Sequence, residues 1–128
     1  MTQEDKELLL KDLSARLPYR VICQCDNIKT QGVLKEIGIN YNMCRLYDSF
    51  TDEYENCYIF DCKPYLFPLS SMTEEQKKEY HELIGGMFGT SALINFEVLT
   101  DFFNKNHLDY RRLIPQGLAI DATGLNIY

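Results

Sequence analysis

Five cysteines, Cys23, Cys25, Cys44, Cys57 and Cys62, lie between positions 23 and 62, and they are the residues whose type most invites chemistry. Cysteine sulfur ligates zinc, forms disulfides and, as thiolate, acts as a nucleophile. The spacing argues against a metal site. Structural zinc sites usually take paired ligands from tight turns such as C-x2-C, whereas one, eighteen, twelve and four residues intervene here. Cys23, Cys25 and Cys44 are the trio a strand face would bring together. Cys57 and Cys62, five apart and read as one strand, are expected on opposite faces. The odd count and the absence of a signal-like start argue against a disulfide framework. Quiet, buried thiols are therefore expected, with no metal and no cofactor.

Nucleophilic use of a cysteine needs a base beside it. The two histidines are His81, on the polar face of a predicted helix, and His107, at a helix end; neither is near a cysteine in sequence. Gly85, Gly86 and Gly89 lack the strand-to-helix setting and the lysine of a phosphate-cradling loop. The chain carries no recognisable catalytic constellation, so a non-enzymatic role is expected.

A second grouping is acidic and aromatic. Asp48, Asp52, Glu53, Glu55 and Asp61 occur with no Lys or Arg between Arg45 and Lys63, interleaved with Tyr47, Phe50, Tyr54 and Tyr58. Such a surface steers and docks a basic protein patch, the charge raising encounter rate and the tyrosines anchoring. Residues 63–72 form a second candidate surface, since Pro64 and Pro68 stiffen the segment that would present Tyr65 and Phe67. The binding residues expected from these two stretches are Asp48, Asp52, Glu53, Tyr54, Glu55, Tyr65 and Phe67. Arg20, Arg45, Arg111 and Arg112 are the positions a nucleic-acid reading would use instead.

The elements that must hold these groups follow from periodicity. Residues 3–16 read as a helix, with Thr2 as N-cap, acids in the first turn, and Leu9, Leu10, Leu13 and Leu17 at helical spacing; Pro18 ends it. From Tyr19 the period becomes two. Strands are expected over 19–25, 31–39 (Val33, Ile37 and Ile39 on one face), 43–50 and 57–62, joined by turns at 26–27, 40–42 and 51–55. Gly32 and Gly38 suit bends or bulges. Residues 63–68 allow only a short edge strand because of their prolines. Thr73 and Gln76 form a capping box for a helix to about Ile84, stopped by Gly85-Gly86 and followed by a linker through 89–91. A third helix, about 95–105, should bury Val98, Leu99, Phe102 and Phe103, with Asn106 as its C-terminal cap. Asp109 should cap a last short helix, and 118–128 is a tail. The result is a single α+β domain over 1–128: a helix (1–18), a four- to five-stranded antiparallel meander or Sm-like barrel (19–69), a helical part (73–117) and the tail.

Composition bounds the rest. A chain of 128 residues with 45% hydrophobic, 25% charged and 12% aromatic residues suits one globular core. Net charge is −6. Residues 1–64 hold eight Lys/Arg against eleven Asp/Glu and residues 65–128 five against eight, so both halves carry −3. Phosphate binding draws on clustered positive charge, so nucleic acid is disfavoured as a partner. No apolar run approaches the roughly 20 residues of a spanning helix; the polar, acidic opening is unlike a leader peptide. The expectation is a cytoplasmic protein without membrane contact.

Three stretches carry a resemblance: Lys6-Glu-Leu-Leu-Leu-Lys-Asp-Leu-Ser-Ala-Arg-Leu-Pro-Tyr19; Lys63-Pro-Tyr-Leu-Phe-Pro-Leu-Ser-Ser-Met-Thr-Glu-Glu75; and Leu108-Asp-Tyr-Arg-Arg-Leu-Ile114 with Gly117-Leu-Ala-Ile120. Together they resemble an uncharacterised family of small proteins from gut anaerobes and their phages or mobile elements. That family has no assigned activity, so the resemblance carries over no catalytic residue; it implies a cytoplasmic protein associated with mobile DNA. The family pattern usually has glycine where Arg20 and Arg112 stand and arginine where Phe67 stands, so an anion-binding role for the Pro-flanked segment is not implied here. The leading expectation is an interaction module, in one form an inhibitor or adaptor that occupies a basic protein groove. A nucleic-acid-associated small barrel is the alternative, and a thiol or metal protein built on the cysteines is the third. Partner identity and oligomeric state are not legible.

Overall fold

The structure is a computed structural model that describes residues 1–38, 40, 42–86 and 92–128, with side chains given for all but 92–95. The expectations for Ile39, Tyr41 and the 89–91 linker lie outside the described residues.

Helix α1 (Gln3–Arg16) starts where its signals place it. Thr2 Oγ1 accepts from the Asp5 N–H at 3.0 Å and the Asp5 carboxylate accepts from the Thr2 N–H at 3.3 Å, a reciprocal cap. Leu9 and Leu13 are buried, with Leu8, Leu10 and Leu17 packed beside them. Pro18 lies in a short 3-10 turn, after which Arg20 takes a left-handed φ of 60°.

Five strands follow: β1 (Ile22–Cys25), β2 (Thr30–Gly38), β3 (Met43–Asp48), β4 (Glu53–Tyr58) and β5 (Cys62–Leu66). Then come α2 (Glu74–Gly86), α3 (Ala92–Lys105) and the two-residue β6 (Ile120–Asp121). The strands form one sheet in the order β4-β3-β2-β1-β5-β6, antiparallel except for β5–β6. The α+β class therefore stands, but the Sm-like barrel does not: the sheet is open, with β4 and β6 at its edges. It is nonetheless strongly curled. Cys25 on β1 and Cys57 on β4 are three strand spacings apart in the order, about 14 Å in a flat sheet, yet their Cα atoms are 5.9 Å apart.

Two strands differ from expectation for physical reasons. A bulge between Leu34 and Glu36 shifts the β2 register, so Leu34 faces inward opposite Leu46 and Ile37 opposite Cys44, while Val33 pairs with outward-facing Tyr47. The bulge falls at neither glycine; Gly32 instead allows close approach, since a Cβ there would lie 2.8 Å from the Tyr47 carbonyl carbon. β4 begins at Glu53, not Cys57, because the hairpin is tighter than its polar composition suggests. Asp48 Oδ1 accepts from the Phe50 N–H at 2.9 Å, and the Asp52 N–H donates to the Asp48 carbonyl at 2.9 Å. A 3-10 turn (Ile59–Asp61) then separates Cys57 from Cys62.

β5 contains Pro64, but β6 pairs only with Tyr65 and Leu66, so the proline lies beyond that ladder. Thr73 and Gln76 cap α2 reciprocally at 3.1 and 2.9 Å, and the helix continues through Gly86. On α3 Phe102 is buried and Leu99 and Phe103 half-buried, but Val98 is exposed. Asn106 caps α3 through a 2.9 Å bond to the Phe102 carbonyl. Asp109 accepts from the Leu113 and Ile114 N–H groups at 2.8 and 2.9 Å, holding a series of turns rather than a helix. One apolar cluster runs from α1 through the inner sheet face to Leu113 and Leu118.

Candidate functional site

The outer face of β3 and β4 follows from strand alternation. Cys44, Leu46 and Cys57 point into the core; Met43, Arg45 and Tyr47 point out, opposite Tyr58, Asn56 and Tyr54. Tyr47 and Tyr54 lie 5.1 Å apart between ring centroids, and the Arg45 guanidinium sits 4.6 Å above Tyr54 while bridging to Glu36 at 3.7 Å. Lys35 approaches the Tyr47 ring at 5.9 Å. Tyr54 and Tyr58 remain 53% and 57% exposed.

The hairpin tip extends this face. Phe50 is 97% exposed, although burying a phenylalanine is worth roughly 1.5–3 kcal/mol. Its backbone is fixed by Asp48, and the Tyr47 hydroxyl donates to Asp52, a bond that raises the Tyr47 pKa and pins Asp52 at a left-handed φ of 56°. Below the tip lies an open trough of about 570 Å³, whose walls include Gly32, Val33, Tyr47, Asp48, Phe50 and Ile127. A neighbouring hollow of about 460 Å³ shares Gln31, Phe50 and Ile127 with it.

Of the binding residues expected from sequence, Asp48, Asp52, Glu53, Tyr54 and Glu55 are gathered on this hairpin, Asp48 and Glu55 half-buried and the others exposed. Tyr65 and Phe67 are elsewhere. Tyr65 is 7% exposed, with its hydroxyl on Gln24 at 3.3 Å, and burial raises its pKa. Phe67 is half-buried against Tyr128. Neither is presented, because the C-terminal tail covers that part of the sheet. The four arginines have separate settings: Arg45 is on the aromatic face, Arg111 binds Asp12 at 3.0 Å, and Arg20 and Arg112 are exposed at left-handed positions. Sequence reasoning passed over the buried Asp12–Arg16 pair (2.8 Å), whose signal was its i,i+4 spacing on α1.

No family model, no curated protein and no solved structure matches this chain.

All five cysteines are buried. Cys25 and Cys57 are joined as a disulfide, contrary to the expectation of none, because the curl of the sheet brings β1 against β4. Cys57 and Cys62 share the interior instead of opposing faces, since the 3-10 turn between them resets the alternation. The converging sulfurs are those of Cys44, Cys57 and Cys62, all within 4.8 Å of one another, rather than the trio Cys23, Cys25 and Cys44. Cys44 is shifted up by its hydrogen bond with Cys62 and then by burial; Cys62 is shifted up by its bond with Cys23, with burial adding. A thiolate nucleophile is disfavoured in such surroundings. His107 stacks on Tyr128 with centroids 3.7 Å apart, while His81 is exposed on α2. Among the described residues, no helix is long and apolar enough to cross a membrane.

Proposed function

We propose that this chain is a non-enzymatic protein-interaction module that receives a basic protein surface on the outer face of β3–β4 and the hairpin tip. The observation that carries the reading is Phe50, held almost wholly in solvent by a well-bonded turn and flanked in sequence by Asp48, Asp52 and Glu53. Aromatic side chains flanked by charge are what interface hot spots are made of, and tyrosine, arginine and methionine are enriched there. Tyr54, Tyr58, Arg45 and Met43 supply that set. Arg45 is already matched by Glu36, so the negative charge on offer comes from the hairpin tip, where Asp52 and Glu53 are exposed. An inhibitor or adaptor that occupies a basic groove, of the kind mobile elements carry, is one form of this function.

A nucleic-acid role is the second reading, favoured by one observation: the Arg45–Tyr54–Tyr47 stack has the makings of a base-stacking platform. The surrounding carboxylates oppose it.

The test is retention from a host lysate at graded salt, with and without nuclease, on the wild type and on Phe50→Ala/Tyr54→Ala. The expected result is a discrete protein held in both nuclease arms, weakened by salt and lost with the double variant. Equal retention by the double variant overturns the proposal, and loss after nuclease favours the second reading.

A further inference from the structure

We propose that the reduced protein binds one zinc-class metal ion through the sulfurs of Cys25, Cys44, Cys57 and Cys62, a tetrathiolate site inside the curl of the sheet. The four residues come from four different strands. Cys44 and Cys57 are direct cross-strand partners on β3 and β4, and Cys25 and Cys62 are direct partners on β1 and β5. The curl sets these two pairs against each other: Cys25 reaches Cys57 covalently, and the sulfurs of Cys44, Cys57 and Cys62 are mutually within 4.8 Å. A tetrahedral ion with metal–sulfur bonds of 2.3 Å needs sulfur–sulfur separations of about 3.8 Å; three sulfurs are already gathered to within 4.8 Å, and reduction frees the Cys25 sulfur beside Cys57 to be the fourth.

The donor chemistry selects the ion. An all-sulfur site excludes calcium and magnesium, which take oxygen ligands, and suits zinc or another soft ion. Complete burial leaves no place for a water ligand, so the role is structural, not catalytic. The ion would tie β4 to β1 and β5 along the seam where the sheet is open.

Forming the site takes two balanced steps. A dithiol reductant gives two electrons and two protons to the Cys25–Cys57 bond, leaving two thiols and the reductant's own disulfide. Zinc(II) then binds four thiols, four sulfur–zinc bonds form, and four protons leave to water. Cys23, also buried and next to Cys62, stays outside the set and serves as the control.

The experiment refolds the full chain under reducing conditions with cobalt(II), then displaces it with zinc(II). The expected result is thiolate-to-cobalt charge-transfer absorption with tetrahedral d–d bands, saturating at one equivalent and abolished by zinc. Cys44→Ser and Cys62→Ser should each weaken binding at least about tenfold, while Cys23→Ala keeps one-equivalent binding. In case the serine variants fail to fold, thermal unfolding of reduced wild type and Cys23→Ala is compared with and without zinc, and both melt higher with the metal. No cobalt–thiolate absorption and no zinc-dependent rise in melting temperature in the reduced wild type overturn the proposal. So does undiminished binding by folded Cys44→Ser and Cys62→Ser, or a Cys25–Cys57 bond that survives reduction of the folded chain.

Discussion

Tyr65 on β5 and Tyr54 on β4 both stand on the outer side of the sheet, and they meet opposite fates. Tyr65 is buried because the tail crosses over it. Leu108 bridges to Phe67, β6 pairs with Tyr65 and Leu66, and the Tyr128 hydroxyl donates to the Tyr65 carbonyl and accepts from the Ile22 N–H, both at 2.8 Å. Tyr128 also stacks on Phe67 and His107. Over β3 and β4 there is no such cover among the described residues, and Tyr54, Tyr58 and Phe50 face solvent. The same residue type on the same side of one sheet is thus structural in one half and available in the other. What separates them is the path of the tail, not the local sequence.

The contrast can be broken most severely at its anchor. Arg16 is fully buried and donates to Asp12 at 2.8 Å and to the Leu108 carbonyl at 2.6 Å, fixing the point where the covering segment meets Phe67. Arg16→Met leaves Asp12 with Arg111 alone and the Leu108 carbonyl with only the Tyr110 N–H, a loss of about 3–5 kcal/mol in urea unfolding. Hydrogen exchange should quicken at Tyr65–Phe67 and Leu108 well before it does in β3. Uniform quickening would mean the two halves are not separable.

Tyr128→Ala removes two backbone bonds and two ring stacks, and should cost about 2 kcal/mol. Tyr54→Ala, on the bare half, should change stability by less than about 0.5 kcal/mol. Equal losses would end the distinction between cover and display.

A pH dependence should be confined to the covered half. His107 is held neutral there, its pKa lowered to about 4 by burial and then by the charge of Arg16. The folded value lies below the unfolded one, so its contribution to stability is complete above about pH 6.5 and is lost as pH falls toward 4. The slope in that window is at most about 1.4 kcal/mol per pH unit. His107→Asn, whose residue tolerates the left-handed φ of 56°, should flatten it.

Local signals were the ones the sequence made readable. The Thr2 cap, the Thr73–Gln76 capping box, the two-residue period leading to Cys25 and the acidic hairpin all rest on residues a few positions apart. β4 was misplaced because Glu53-Tyr-Glu-Asn-Cys-Tyr58 has one wet face and shows little apolar alternation. The bulge in β2 exchanged Val33 for Leu34 as the core residue, and one extra residue in a strand has no compositional signature. The remaining misreadings are long-range. Cys25 and Cys57 are 32 positions apart, and Tyr128 reaches Ile22 over 106. Periodicity carries no information on pairings at that distance. The acidic residues and Tyr54 of the candidate face were legible from composition, whereas the burial of Tyr65 and Phe67 depended on the tail.

The Cys25–Cys57 bond makes a covalent ring of the intervening chain, and that ring contains β2, β3 and the whole exposed tip around Phe50. An aromatic-specific protease that nicks the tip at Phe50 would therefore release nothing: the two pieces stay on one molecule, heavier by a single water, until a reductant parts them.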